Sequence, residues 1–463
     1  MKLTRFWARG YRSLRDVTLD PLGDFNVFYG PNGSGKSNVV RGVETLVRAA
    51  EVWTEHERPG TSRFAASLAR RDVLHADDRH RGARPEVTST VLGLEAIAQD
   101  DPRELDLALG RIVHSTLLLE LTVDWNGSRP FGASLRVEFD GEPWEDAERA
   151  AKAIEPGASA RLTLARLVRR LFWTVSADRA LRDESLSLEP PVSAGNHGES
   201  DDDPSASAPP SPIYEALRAG HLQTAIFHAK NDWDRENRAR FDHLRALVAR
   251  TLDLPEIDVG RDPVSGLIEL RQPLRADPTR EDISLRSAGL GVEQLVAIVA
   301  SIMFSRSAIV AVEEPEAHLH APTTGRSLRA LLKGLVEPSD GAPRLLHQLF
   351  IATHSNLFDL DPHGYWDVSL KDGATAIRRG ALHELYAHHL YEPGPAKRLL
   401  ASALEQFGEE VVFRSKDGRR IGTAEMLRRL DEDDEIAMEF VRDMHAAALA
   451  TLRVRAQREG DPR

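Results

Sequence analysis

Gly30-Pro31-Asn32-Gly33-Ser34-Gly35-Lys36-Ser37 decides how this chain is read. It is a complete G-x-x-x-x-G-K-[ST] phosphate loop, and each residue type has a physical reason. Glycines let backbone N–H groups turn inward and approach phosphate oxygens closely. A helix beginning at the loop would aim its free N–H groups and positive dipole end at the same anion. Lys36 would reach the β- and γ-phosphates, and the Ser37 hydroxyl would ligate Mg²⁺. The flanks agree with this. Asp24 to Tyr29 carries the β-formers Phe25, Val27, Phe28 and Tyr29, and Val39, Val40, Val43, Leu46 and Val47 recur at helical spacing. Gly30 to Asn38 is the expected nucleotide-binding segment, with ATP and Mg²⁺ as its ligands.

A second signal lies far downstream. Ala308-Ile309-Val310-Ala311-Val312 is an unbroken apolar run, as expected of a parallel strand covered on both faces, and it ends in Glu313-Glu314-Pro315. Ligands of open α/β sheets bind outside the carboxyl ends of strands, where these carboxylates would stand. One acid can hold the Mg²⁺ shell while its neighbour polarises the attacking water. A further apolar strand, Leu349 to Ala352, ends in Thr353-His354-Ser355. There a histidine can report on a γ-phosphate. His354 taken alone reads sooner as a structural or solvent-facing histidine, and its position one α/β unit after the acids is what favours the functional reading. Between loop and acids, Arg286-Ser287-Ala288-Gly289-Leu290 opens the apolar helix Leu295 to Phe304 with small residues, another anion-facing helix start.

The rest of the chain sets bounds. At 463 residues it exceeds what one core needs, and 60 Lys+Arg against 72 Asp+Glu give a net charge of −12. That excludes a surface given over wholly to nucleic acid, though not local basic grooves. There are no cysteines, hence no disulfide, thiolate metal site or cysteine nucleophile. Neither a membrane-length apolar run nor a secretory signal is present, so a cytoplasmic protein is expected. Residues 2–8 and 15–20 read as strands, as do 86–93, 116–124 and 133–139 of an antiparallel sheet. Residues 144–171 read as helix ending in the basic cluster Arg166, Arg169 and Arg170, and 233–253 as an amphipathic helix. Six prolines with Ser, Gly and Asp201 to Asp203 mark 190–212 as a flexible linker. From Gly291 onward the order reads helix, strand, helix, strand, helix, and the tail after about 380 reads as helical and charged.

Phosphate loop, small-residue helix start, acid pair and histidine follow one another in an order that resembles the ABC-type ATPase heads of the SMC, RecF and OLD group. That group includes AAA-labelled defence ATPases such as the Septu ATPase. Gly10-Tyr11-Arg12-Ser13-Leu14, Asn26 to Asn38, Glu313-Glu314-Pro315-Glu316-Ala317-His318-Leu319-His320 and Ala352-Thr353-His354-Ser355 carry the likeness, over about residues 1–50 and 280–360. The resemblance implies an α/β fold. A mixed or antiparallel β lobe (1–140) and a parallel-sheet lobe (261–380) would be separated by a helical insert (141–260) and followed by a helical C-terminal region (381–463). It also implies two heads sandwiching two ATPs, with the loop of one chain facing the Ser287–Gly289 signature of the other. Glu314 would match the catalytic glutamate, Glu313 the Mg²⁺-associated acid (usually Asp, one methylene shorter), and His354 the switch histidine. The group accounts for His318 and His320 without a metal.

No nuclease constellation follows. Asp359-Leu360-Asp361 reads as a turn, and His383-Glu384 with His388 is not a zincin pattern because position 387 is Ala. A separate effector, plausibly a nuclease, is expected by analogy. Basic clusters at Arg70, Arg71, Arg79, Arg81 and Arg84, and at Arg414, Lys416, Arg419, Arg420, Arg428 and Arg429, leave DNA or RNA contact open. The expected function is an ATP-hydrolysing switch that forms a dimer or higher even oligomer and controls an effector in anti-phage defence or DNA surveillance. A RecF/SMC-like repair ATPase whose main role is ATP-gated DNA binding is the rival, and a non-hydrolysing ATP-dependent scaffold is a second.

Overall fold

Alternating burial builds the first sheet. In the computed structural model, β1 (Lys2–Tyr11) and β2 (Leu14–Leu19) pair as a hairpin. β4 (Ser89–Ile97), β5 (Thr116–Asn126), β6 (Arg129–Phe139) and β7 (Glu142–Pro143) extend it antiparallel in the order β2-β1-β4-β5-β6-β7. Along β5, Leu117, Leu119, Leu121, Val123 and Trp125 are buried while the residues between them reach solvent to varying degrees, the period of two expected of a sheet with one covered face. The structure describes residues 1–55, 61–80, 88–98, 115–127, 129–154, 160–177, 184–185, 211–252, 256–272, 282–317, 322–337, 345–355, 358, 364–380, 393–414, 418–431, 436–437, 439–441 and 443–444. Most of the proline-rich segment 190–212 lies outside them.

The second sheet is the one that positions chemistry. Its order is β16 (Ala374–Arg379), β15 (Tyr365–Lys371), β3 (Phe25–Tyr29), β14 (Gln348–Thr353), β13 (Ile309–Glu313) and β8 (Phe172–Val175). From β15 to β8 every neighbour is parallel, and only β16 runs antiparallel. Every residue of β13 and β14 is buried, as the unbroken apolar runs predict. Two elements differ from the sequence reading. β8 stands inside the stretch expected to be a helical insert, because a four-residue apolar run carries too little period to separate strand from helix. After β14 a hairpin, not a helix, follows. Asp372 and Gly373 both take positive φ (51° and 74°), the two-residue Asp-Gly turn that joins tightly twisted strands.

Helix α1 (Lys36–Thr54) lies between the two sheets and shares one hydrophobic core with both, including Phe6, Leu119, Val39 and Phe350. Near its far end Glu51 is clasped by two arginines. Arg169 Nε donates to Oε1 (2.8 Å), and Arg218 donates to both carboxylate oxygens (2.7 and 2.8 Å). Burial alone would raise the Glu51 pKa, but the two guanidiniums outweigh it and hold the group below the usual carboxylate range. Around these sheets lie α2 (Thr61–Arg70), α3 (Trp144–Ile154), α4 (Ala160–Arg169), α5 (Pro212–Arg218), α6 (Leu222–Asn231) and α7 (Arg235–Leu252). They are joined by α8 (Leu290–Ser305) and α9 (Pro322–Val336). A small third sheet holds β10 (Asp258–Arg261), β11 (Leu267–Gln272) and β12 (Ile283–Ser284), with β9 (Glu184–Ser185) also on β11.

Met1–Arg379 forms one compact unit and Gly380–Arg463 a second. The second holds helices Pro393–Phe407 and Thr423–Asp431 and a hairpin of Val411–Arg414 with Arg420–Gly422, so it is not helical throughout. Its own core gathers Leu400, Ile421, Met426, Leu430 and Phe440. No described helix is long and apolar enough to cross a membrane.

Candidate functional site

Three adjacent parallel strands end side by side. β3 runs into the phosphate loop, β14 into His354, and β13 into Glu313-Glu314, with Tyr29 opposite Thr353 and Ala352 opposite Glu313 in register. Strands in a sheet are spaced about 4.8 Å apart, so loop and acids stand roughly 10 Å apart with the histidine between them. That gap is of the size a triphosphate spans.

The loop's shape demands its glycines at two points. A Cβ on Gly30 would meet the Val368 carbonyl at 2.1 Å, and Gly35 takes φ 100° with Thr375 Oγ1 2.0 Å from where its Cβ would lie. Pro31, Asn32 and Gly33 form the loop's exposed outer turn, and Ser34 and Lys36 are buried. Ser37 opens the first turn of α1. A directed chain of hydrogen bonds braces the loop from beneath. Asn38 Nδ2 donates to Ser13 Oγ (2.7 Å), Ser13 to Thr375 Oγ1 (2.5 Å), and Thr375 to the Ser34 carbonyl (2.9 Å). Ser13 sits in the β1–β2 turn, where Arg12 Nε pairs with the buried Asp78 at 2.8 Å.

Lys36 Nζ donates to the carbonyls of Gly30 (2.7 Å) and Pro31 (2.9 Å). Burial pushes its pKa below the ordinary lysine value, while the negative charges of Glu314 and Glu316 act in the opposite direction. The loop cation and the distant acids therefore share one electrostatic environment.

Glu313 is the last residue of β13 and is buried. Its charge, with burial as the larger effect, helps raise the pKa of Glu44 on α1. Glu314 turns the chain. Its φ is 43°, a left-handed conformation few non-glycine residues adopt, and such strain of about 1–3 kcal/mol clusters at functional sites. Its N–H donates to the Ala352 carbonyl at 2.8 Å, and Ala317 N–H donates to its carbonyl at 2.9 Å, so the turn is fixed on both sides.

Glu316 is the residue whose role sequence reasoning missed. Its Oε1 accepts from the Thr353 hydroxyl (2.5 Å) and the His354 N–H (3.2 Å), and lies 3.3 Å from His354 Nδ1. Its other oxygen is buried with no hydrogen-bond partner among the described residues. The carboxylate thus ties the acid turn to the histidine turn across two strands. The Glu-x-Glu spacing was visible in the sequence, but nothing there indicates that the second acid reaches the next strand. Thr375 was likewise invisible, since it arrives from a hairpin read as helix.

Ser287 and Gly289 lie at an exposed short turn, Leu285–Ala288, that packs on β11 and β12 and leads into α8. His318, His320, Asp359 to Asp361 and His383 to His388 fall outside the described residues. Of the first basic cluster, Arg71 pairs with Glu55 at 2.6 Å and Arg79 donates to the Gly127 carbonyl at 2.6 Å. In the second, Arg429 pairs with Glu425 at 2.9 Å. These are locally satisfied surface charges, while Arg81, Arg84 and Lys416 lie outside the described residues.

The residues fit a nucleotide with Mg²⁺. Buried Ser34 Oγ has no partner within the described residues. The loop is packed so closely on Val368 and Thr375 that Gly30 and Gly35 admit no side chain, which keeps its backbone in the tight phosphate-loop turn. Among the described residues no three His, Asp or Glu side chains form a metal cage. Mg²⁺ at a phosphate site requires none, because phosphates and water complete its shell.

Residues 175–361 match the family model described as "AAA domain, putative AbiEii toxin, Type IV TA system". No curated protein matches the chain. Among solved structures, an SmcHead bound to the C-winged helix domain of ScpA is 13% identical, covering 82% of this chain and 99% of that one at a TM-score of 0.49. The SMC head domain from Thermotoga maritima is 14% identical, covering 82% and 100%, at 0.41. The Smc head domain derived from Pyrococcus furiosus, bound to the C-terminal domain of ScpA, is 13% identical, covering 86% and 98%, at 0.47. The family-model match spans the Ser287–Gly289 segment, the acid pair and His354, and does not include the phosphate loop.

Proposed function

We propose that this chain binds and hydrolyses ATP between two copies of itself, and that the cycle of closing and opening controls a separate effector. The observation that carries the reading is the strand order β3-β14-β13, which gathers loop, histidine and acids at one edge of one sheet. In this reading the backbone N–H groups of Gly33 to Ser37 and the Lys36 ammonium hold the β- and γ-phosphates. Ser37 and Glu313 hold Mg²⁺, which when bound offsets phosphate charge. Glu314 orients and deprotonates the attacking water. His354 contacts the γ-phosphate, and Glu316 is a positioning residue that holds the His354 ring through Nδ1. The exposed setting of Ser287 and Gly289 supports their use in trans, against the partner's nucleotide.

An effector, plausibly a nuclease, and a role in anti-phage defence or DNA surveillance complete the proposal. Two of the three SMC heads compared above are described as bound to ScpA domains, and a protein partner is proposed for this chain as well. Glu314→Gln tests the core of it. Turnover falls by about 10²–10⁴-fold, the usual contribution of a general base. Nucleotide binding survives, and light scattering with ATP detects a dimer that does not decay. A variant that turns over at the wild-type rate refutes the role of Glu314. Low turnover already present in the wild type, with ATP-dependent dimers unchanged by the substitution, favours the non-hydrolysing scaffold.

A further inference from the structure

The opposite ends of the same strands hold a second site. A cavity of about 430 Å³ opens where β8, β13 and β14 begin, bounded by Leu171, Ser307, Ala308 and His347 just before those strands. With about 3.3 Å of rise per residue, β13 alone separates it from the acid pair by roughly 17 Å.

Four guanidinium groups face this cavity: Arg166, Arg170, Arg240 and Arg306. Three carboxylates stand nearby: Asp232, which feels the Arg306 charge and accepts from Asn237 Nδ2 (2.6 Å), Asp234 and Glu236. Arg240 Nη2 donates to Glu236 Oε1 (2.9 Å), and Arg306 Nη2 lies 3.7 Å from Glu236 Oε2 and 4.0 Å from Asp234 Oδ2. Arg240 Nη1 donates to the Met303 carbonyl (3.0 Å) and Arg306 Nη2 to Asn237 Oδ1 (2.5 Å). Arg166 and Arg170 are exposed and pair with no carboxylate of the described residues. Four guanidiniums against these three carboxylates leave the cavity wall net positive. The mutual cost is visible at Arg306, whose pKa is lowered by burial first and then by the charges of Arg240 and Arg170.

Two buried donors remain unused. Ser307 is 2% exposed and its Oγ has no hydrogen-bond partner among the described residues, and Arg240 Nε is buried without one among them. An orphaned buried donor costs about 1–3 kcal/mol. Arg306 caps the end of α8 at φ 53°, a position where glycine is the usual residue, yet the chain keeps an arginine there. Leu167, Leu171 and Ile302 supply an apolar wall beside the charges.

We propose that this cavity binds the phosphomonoester of a nucleotide-sized ligand, with the arginine forks and Ser307 on the phosphate and the base against the apolar wall. A phosphomonoester carries about −1.5 to −2 charges, and the net positive wall attracts it. Guanidinium forks suit phosphate oxygens, and the volume lies in the range of small-ligand pockets. A free mononucleotide and the 5′ end of a strand present the same chemistry. The site is independent of the phosphate loop.

Isothermal titration of the full chain with AMP, and with hexathymidylate bearing a 5′-phosphate or a 5′-hydroxyl, tests this. AMP binds the wild type and the Lys36→Ala variant alike. Binding weakens at least about tenfold in the Arg166→Glu/Arg170→Glu double variant, whose altered side chains are exposed, and about threefold in Ser307→Ala. If the phosphorylated oligomer binds too, the ligand includes strand ends; if only AMP binds, it is a free nucleotide. Either supports the site. Absence of AMP binding, binding that vanishes with Lys36→Ala but survives the arginine reversals, or equal binding of the 5′-hydroxyl oligomer overturns it.

Discussion

The two six-stranded sheets solve different problems with the same backbone. In the antiparallel sheet the chemistry is spread along the strands: β5 buries every second side chain and shows the rest to solvent. In the parallel sheet β13 and β14 bury everything along their length, and polarity is confined to the strand ends. A strand covered on both faces has nowhere else to put a charge. The two proposed sites therefore fall at the two ends of the parallel strands, and neither falls on the antiparallel sheet.

This division can be attacked directly. Lys36→Ala at the strand-end site removes a charge-assisted contact worth about 1.5–3 kcal/mol, so the affinity for ATP falls roughly 10–100-fold while the thermal unfolding midpoint holds. Equilibrium binding and melting on the same sample measure both. Leu119→Ala in β5 does the reverse. It removes about 2–5 kcal/mol of stability, read by urea unfolding, and leaves nucleotide affinity within twofold. A loss of affinity there would mean the sheets are not separate in function.

Thr375→Val tests a smaller link, the relay that braces the loop. Removing that hydroxyl strands the Ser34 carbonyl, and ATP affinity drops about fivefold without loss of fold. The smallest effect belongs to the antiparallel sheet. Asp140 accepts hydrogen bonds from the N–H and hydroxyl groups of Ser115 and Thr116. Desolvation opposes ionisation, but these bonds together outweigh it and lower its pKa to about 2. The stability it contributes is present above about pH 4, the unfolded aspartate value, and is lost as pH falls toward 2. Asp140→Asn lowers the melting temperature by about a degree or two at most at pH 7, a difference that closes as pH falls toward 2, so the profile flattens over that range.

Much of the strand-end site was legible because it is written locally. The loop is eight consecutive residues, and each acid or histidine follows directly on an apolar run. The strand order was not legible, since β14 lies between β3 and β13 in space but after both in sequence. Glu316 and Thr375 were missed for the same reason, as their partners lie 37 and 341 residues away. The β15–β16 hairpin was different. Asp372-Gly373 announced it, and the α/β rhythm of the preceding elements outweighed that local signal. β8 is too short to announce itself at all.

The Glu51 clasp has a mechanical meaning. With 19 residues at 1.5 Å of rise, α1 is a rod about 28 Å long that begins at the phosphate loop and is pinned by two arginines near its other end. A rod held so would pivot rather than slide along its axis, and gain or loss of a phosphate at the loop, as proposed, would reach α4 and α5 as a tilt.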